Sequence, residues 1–345
     1  MTAASPSAVL VTGGAGYIGS HAVKALRARG ETVIVYDNFH HGHRAATRHA
    51  SAVVEGDIHD TARLGAALAT HRVDAVMHFA AWLSVGDSVR DPIGYYHNNV
   101  VGALAVLEAA VGAGVTSLVF SSTCAIFGTP DEVPIHENLP KRPINAYGET
   151  KLAIELAFPH YEKAYGLRAI ALRYFNAAGA DPDGELGEDH APELHVIPRA
   201  IDTALGRDSF KVFGDDYPTP DGTCLRDYVH VNDLASAHLL ALDALRAGAA
   251  STAYNLGNGR PTSVRDVIAS VERVTGKRVP HEMSPRREGD PPALYAASDR
   301  IKRELGWRPA YEDLDVIVET AWRWREAHPD GYAASRSAPA QPGNA

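Results

Sequence analysis

Along the first half of the chain, short runs of β-branched and apolar residues alternate with longer amphipathic stretches. The runs AVLVT (8–12), TVIVYD (32–37), SAVVEGD (51–57), VDAVMHFA (73–80), SLVFSS (117–122) and RAIALRYF (168–175) read as strands. Helical spacing occupies the stretches near 17–29, 60–70, 93–113 and 145–165. Strands that alternate with helices build a parallel sheet with crossover connections, so the pattern predicts an α/β fold. Gly30, Gly114 and Gly166 stand where helix C-termini call for a left-handed residue, and Asp91-Pro92 suits a helix start. Beyond about residue 176 the pattern loosens into loops rich in Pro, Gly and Asp, broken by helices near 195–206, 231–247, 263–275 and 313–327. This half reads as a smaller C-terminal α/β lobe. The tail AASRSAPAQPGNA (333–345) has nothing to bury and is predicted to be disordered.

Composition narrows the function classes. With 345 residues, 45% of them hydrophobic, the chain can bury a large core in two lobes. A formal net charge of −9 opposes general binding to nucleic acid or an acidic membrane surface, so any anionic ligand must be met by locally placed arginines. No run approaches the roughly 18 apolar residues of a membrane span, and the N-terminus has no basic region followed by a long apolar run. A cytoplasmic protein without a membrane partner is the expectation. Cys124 and Cys224 are too few for a disulfide framework or a multi-cysteine metal site and are read as buried thiols.

The first motif with chemistry is VTGGAGYIGSH (11–21), directly after the first strand and opening the first helix. Gly13, Gly16 and Gly19 let the backbone turn tightly and approach a pyrophosphate, whose charge meets the helix N-terminus. The second strand ends in Asp37, where a carboxylate can accept both hydroxyls of an adenosine ribose and would repel a 2′-phosphate. NAD is therefore favoured over NADP, and the fold is predicted as a Rossmann-type doubly wound parallel sheet. Asp57, at the end of the third strand, either touches the adenine or caps the helix that follows. In NAYGETK (145–151), Tyr147 and Lys151 are four apart and share one helix face. By itself that spacing is compatible with an ordinary solvated pair.

The glycine spacing together with FSSTCAIFG (120–128), NAYGETK, LRYFNAAGA (172–180), FGDDYPTPDGTCLRDYVHVNDLA (213–235) and RREGD (286–290) resembles the UDP-glucose 4-epimerase family, in the extended short-chain dehydrogenase/reductase superfamily. The resemblance runs from about residue 8 to about 330. It implies a dinucleotide-binding domain over 1–176 and a UDP-sugar lobe over 177–332, with part of 225–256 returning to the first domain. It also implies Tyr147 as catalytic base, Lys151 as its partner and Thr123 as the third catalytic group, although threonine stands where the family carries serine. A structural threonine at a strand end is the competing reading.

Bringing a phenol from its ordinary pKa of about 10 to near 7 takes roughly 4 kcal/mol, which the Lys151 ammonium and an oxidised nicotinamide are expected to supply. For the cofactor the resemblance implies contacts from Gly13, Gly16, Tyr17, Ile18, Gly19, Asp37, Asn38, Asp57, Ile58, Phe79, Ala80, Ala81, Asn98, Ser121, Tyr147, Lys151 and Tyr174. For a UDP-hexose it implies Thr123, Tyr147, Phe175, Asn176, His195, Val196, Phe213, Arg226, Arg287, Asp290 and Leu294. Arginine suits the diphosphate because its planar donors bind two oxygens at once. A homodimer is implied too, with the small-residue stripe GALAVLEAAVGAG (102–114) offered for packing between subunits.

Several positions refine the expected chemistry. The related 4,6-dehydratases carry an Asp-Glu pair just after the catalytic hydroxyl, whereas this chain has Cys124 and Ala125, which cannot perform an elimination. Hydride and one proton remain, so interconversion of UDP-glucose and UDP-galactose through a 4-keto sugar is expected. Another UDP-sugar, or net oxidation, is the alternative. Leu83 and His195 replace a lysine and an asparagine familiar in the family. Leu294 stands where a tyrosine can fill the space beside the sugar's C2 substituent, which leaves room for an N-acetyl group. The run FHHGHR (39–44) lacks acidic partners in sequence and is read as a solvated loop, so no metal site is assigned.

Overall fold

A computed structural model describes residues 8–287 and 290–332, so the expectation of a disordered tail at 333–345 falls outside the described residues. The chain opens with β1 (Ala8–Thr12), buried along its whole length, and turns directly into α1 (Tyr17–Ala28). β2 (Thr32–Asp37), β3 (Ala52–Glu55), α2 (Thr61–Thr70) and β4 (Val73–His78) follow. Asp60 caps α2 by accepting the Arg63 N–H, so Asp57 is not that helix's cap. The helix predicted over 93–113 is broken into α4 (Pro92–Tyr95), a π-helical segment Tyr96–Val101 and α5 (Gly102–Gly112), preceded by α3 (Val85–Arg90), which is too short to show a period. Asp91 caps α4 through the Gly94 N–H, with Pro92 at its first turn.

β5 (Ser117–Thr123) leads to α6 (Ala146–Tyr165), which Asn145 caps through the Gly148 N–H and Gly166 ends at φ 71°. After β6 (Arg168–Tyr174) come β7 (Asn176–Ala178), α7 (Val196–Ala204), β8 (Phe210–Phe213), β9 (Leu225–Arg226) and β10 (Tyr228–His230). The chain then forms α8 (Val231–Arg246), β11 (Thr252–Leu256), β12 (Thr262–Ser263), α9 (Val264–Thr275), β13 (His281–Ser284), β14 (Ala293–Leu294), α10 (Asp299–Glu304) and α11 (Leu314–Ala327).

Seven strands, all parallel, form the main sheet in the order β11-β6-β5-β4-β1-β2-β3. From β1 the chain winds outward to β2 and β3 on one side, then returns to β4 and continues to β5 and β6 on the other. The connections diverge between β1 and β4, and a crevice opens at their C-terminal ends. One sheet face packs Val23 and Leu26 of α1 with Leu242 and Leu245 of α8, and the other packs Leu64, Leu107 and Phe158 of α2, α5 and α6. A separate core of Ile201, Val267, Val271, Ile317 and Val318 joins α7, α9 and α11. β9 lies between β12 and β14, which sets Leu294 beside Arg226.

The stripe at 102–114 faces its own sheet, because Ala103, Val106, Leu107 and Ala110 are core residues. It is therefore not the exposed packing surface that the sequence suggests. Nearby apolar side chains do face outward, notably Val89 at 66%, Ile93 at 83% and Leu156 at 64% exposure. Among the described residues, no helix is long and apolar enough to cross a membrane.

Candidate active site

The crevice is built first from the turn between β1 and α1. Gly13 takes φ 71°, and a Cβ there would stand 2.6 Å from the Ala80 nitrogen. At Gly19 a Cβ would stand 2.2 Å from the Gly13 carbonyl oxygen, so this glycine lets the helix sit against its own loop. Gly16 differs, because a Cβ there would meet only the Gly13 oxygen, at 3.3 Å. It caps α1 without a side-chain bond and no acidic residue occupies the first turn, so the helix N-terminus is presented for an anion. Asp37 is buried, and its oxygens accept the Ala15 N–H (3.0 Å) and the Phe39 N–H (2.8 Å). A carboxylate oxygen can accept more than one bond, so capacity for ribose hydroxyls remains. These features fit a dinucleotide.

The remaining cofactor candidates ring this turn. Ile18 packs on the sheet core, whereas the Tyr17 hydroxyl donates to the Gly179 carbonyl (2.6 Å), so its side chain ties the turn to the second half of the chain. Asn38 donates to Asp57 at 2.9 Å. Ile58 is buried beneath Gly102, and Phe79 packs on the His238 ring. Ala80 and Ala81 are half-buried in the loop after β4, and Leu83 beyond them is 45% exposed. Asn98 donates to its neighbour Asn99 at 2.9 Å.

At the C-terminal end of β5, the Thr123 hydroxyl lies near enough to Tyr147 to favour its phenolate, and Thr123 Oγ1 accepts the Ala125 N–H at 3.1 Å. Tyr147 is half-buried, yet desolvation pushes its phenol up to about 12, with the Thr123 hydroxyl working against that rise. Lys151 is buried, and desolvation pulls its ammonium down to about 7, opposed by Glu155. Its Nζ donates to the Ser121 carbonyl at 2.8 Å, while Ser121 Oγ receives the Tyr174 hydroxyl. The protein alone therefore does not bring the phenol near 7. Burial opposes both charged forms, and Lys151 is turned toward a backbone carbonyl. The half-buried Cys124, also less enclosed than predicted, is pushed up to about 12 by desolvation, which the Arg226 charge opposes.

Arg226, on β9, is near enough to Cys124 for its charge to act on that thiol. Arg226 donates to the carbonyls of Leu225 and Pro291 at 2.9 and 3.0 Å and pairs with Asp290 at 3.3 Å. Asn176 donates through its side chain to the Asp227 carbonyl at 3.1 Å, and Phe175 and Leu294 pack on one small apolar cluster. Phe213 and Arg287 meet each other, with the guanidinium 3.8 Å from the ring centroid. Val196 opens α7 and packs on the second core, while His195 bonds to Glu188. The histidine run is more than a solvated loop. His43 donates its N–H to the Ala15 carbonyl (2.9 Å), and its ring bonds to the Asp189 carbonyl (2.9 Å).

Two supporting residues escape sequence reasoning. Buried Asn99 accepts the Trp82 N–H (2.8 Å) and donates to the Trp82 carbonyl (3.0 Å) and to Thr150 (3.2 Å), pinning the loop after β4 to the turn that holds Lys151. Asp227 accepts the N–H groups of Asn258, Gly259 and Ala296 and so fixes the backbone next to Arg226. Burial nevertheless raises its carboxyl to about 6. The backbone partners of both, Trp82 for Asn99 and Asn258, Gly259 and Ala296 for Asp227, are distant in sequence, so no local pattern signals their roles.

Residues 9–257 match the NAD dependent epimerase/dehydratase family. The chain is 51% identical to the UDP-glucose 4-epimerase of Halalkalibacterium halodurans over 94% of its own length and 98% of that protein's. A crystal structure of UDP-glucose 4-epimerase from Brucella ovis in complex with NAD superposes with a TM-score of 0.90 at 51% identity, covering 92% of this chain and 97% of that one. The UDP-Glc/GlcNAc 4-epimerase of Campylobacter jejuni gives a TM-score of 0.81 at 38% identity, covering 93% and 99%.

Proposed function

Because the chain belongs to the NAD dependent epimerase/dehydratase family and, within it, to the UDP-glucose 4-epimerases, we propose that it interconverts UDP-glucose and UDP-galactose. Bound NAD supplies the reversible hydride acceptor that converts the C4 alcohol to a ketone and back. In this reading the glycine turn holds the pyrophosphate and Asp37 the adenosine ribose. Tyr147 takes the proton of the C4 hydroxyl and returns it, and Thr123, close to Tyr147, bridges it to the sugar oxygen. Lys151 positions the nicotinamide ribose and stabilises the phenolate. Arg226 and Arg287 take the diphosphate, and Asp290 the uridine ribose.

The observation that carries this reading is the closeness of the Thr123 hydroxyl to the Tyr147 phenol at the end of β5, with Cys124 and Ala125 in place of the acid pair that an elimination requires. A larger sugar is part of the proposal. Leu294 lies in register with Arg226 and packs in the same cluster as Phe175, so its short side chain leaves space where a ring would project. A homodimer is proposed as well, resting on the outward-facing Val89, Ile93 and Leu156 around α3, α4 and α6. A cytoplasmic location fits the two free thiols.

Purified protein given UDP-galactose should yield UDP-glucose without accumulating NADH, while Tyr147→Phe still binds both ligands but loses turnover by orders of magnitude. NADH rising in step with product, or more than about a tenth of wild-type turnover in that variant, contradicts the mechanism. Wild type should also interconvert UDP-N-acetylglucosamine and UDP-N-acetylgalactosamine, and Leu294→Tyr should lose that pair selectively; equal loss or retention of both substrate pairs removes Leu294 as the gate. Light scattering at micromolar concentration should give the mass of two chains, and a strictly monomeric mass rules out the dimer.

A further inference from the structure

Between β7 and α7 the chain gathers two imidazoles and two carboxylates at one point. One ligand atom from each of Glu188, His190, Glu193 and His195 lies within 4.8 Å of all the others. His190 Nδ1 stands 3.3 Å from Glu188 Oε1 and 3.7 Å from Glu193 Oε2, and His195 Nδ1 stands 3.7 Å from Glu193 Oε1. Four donors about 2.0–2.2 Å from a tetrahedral zinc ion are separated from each other by about 3.3–3.6 Å, so most of these spacings need little adjustment. Only the His195–Glu188 contact is shorter, because the two groups bond directly. The Glu193 side chain is 9% exposed, and among the described residues its buried Oε2 has no hydrogen-bond partner although it is aimed into the cluster. Its nearest imidazole nitrogen, His190 Nδ1, is too far for a hydrogen bond, so this oxygen keeps its lone pairs free for a cation.

We propose that Glu188, His190, Glu193 and His195 form a binding site for a borderline divalent transition ion, with zinc as its best fit. Two imidazole nitrogens with two carboxylate oxygens select zinc over magnesium or calcium, which favour sets made only of oxygen ligands. The loop is held ready for this. Arg325 donates to the Glu188 carbonyl at 3.2 Å, and Asp189 accepts the Tyr332 N–H at 2.8 Å while its carbonyl bonds to His43. The ion would sit against the Tyr17 ring, which meets His190 edge-on at 6.3 Å, and would thus tie the loop at 188–195 to the nucleotide-binding turn. Imidazole must be neutral and carboxylate ionised to ligate a metal, so zinc binding competes with protons.

The test uses untagged, NAD-loaded protein dialysed against chelator and titrated calorimetrically with zinc chloride in two buffers of different ionisation enthalpy. One ion per chain should bind with proton release, magnesium should not compete, and cobalt(II) should show the visible absorption of a tetrahedral site. His190→Ala and the isosteric Glu193→Gln should each weaken zinc at least about tenfold, while His40→Ala/His41→Ala in the neighbouring exposed loop should leave it unchanged. Glu193→Gln keeps the test decisive if His190→Ala does not fold. The proposal is overturned by no zinc binding in the micromolar range, by undiminished binding in Glu193→Gln, or by loss of binding only in the His40/His41 variant.

Discussion

Desolvation of the Tyr147–Lys151 pair is the constraint on which the rest of the site depends. A phenol and an ammonium on one helix face are each driven toward their neutral forms by burial, the phenol up to about 12 and the ammonium down to about 7. Three neighbouring groups act against that tendency. The Ser121 carbonyl accepts from Lys151, the Thr123 hydroxyl favours the Tyr147 phenolate, and Glu155 favours the charged lysine from further along α6. Phenolate and ammonium would stabilise each other if both formed, since opposite charges at short range in a poorly solvated site interact strongly. A cationic ring bound beside them would add to the same balance. The pair is thus arranged so that added positive charge would favour the phenolate.

Topology decides where that pair can act. β5 adjoins β4, and β4 adjoins β1, so the strand end carrying Ser121 and Thr123 lies two strands from the glycine turn. The reversal of winding between β1 and β4 opens the crevice there, and Asn99 fastens the loop after β4 to α6 at Thr150. The second half of the chain closes over the same end of the sheet. The Tyr17 hydroxyl reaches the Gly179 carbonyl, and Arg226 acts on Cys124, immediately after Thr123. The glycine turn, Thr123 and Arg226 therefore gather at one end of the sheet although they come from widely separated parts of the chain.

Much of this was legible in the residues because the signals are local. A strand-turn-helix with three glycines, a carboxylate ending β2 and a tyrosine four before a lysine each declare themselves within one element. Six of the seven main strands show as apolar runs for the same reason. What escaped notice depends on partners distant in sequence. β11 is a short run whose pairing with β6 no local pattern announces. Asn99 and Asp227 look like ordinary polar residues until their backbone partners fold against them. The small-residue stripe on α5 was misjudged because small apolar residues suit a sheet and a subunit interface equally well, and only burial tells the two apart. The phenol's pKa without a ligand is hidden for a related reason, since spacing reveals which groups meet but not how much water their meeting excludes.

The most direct test of this account is the titration of Tyr147 itself. The ultraviolet absorbance of phenolate, taken as the difference between wild type and Tyr147→Phe, reports that single ionisation in both NAD-loaded and NAD-free protein. Burial alone holds the phenol at about 12, so the NAD-free difference signal should be absent at neutral pH and rise only in strong alkali. With NAD bound, the same signal should appear below about pH 8, because added positive charge favours the phenolate and lowers the pKa. A Tyr147 signal that stays at or above pH 10 in the NAD-loaded protein would contradict the claim that charge completion creates the base.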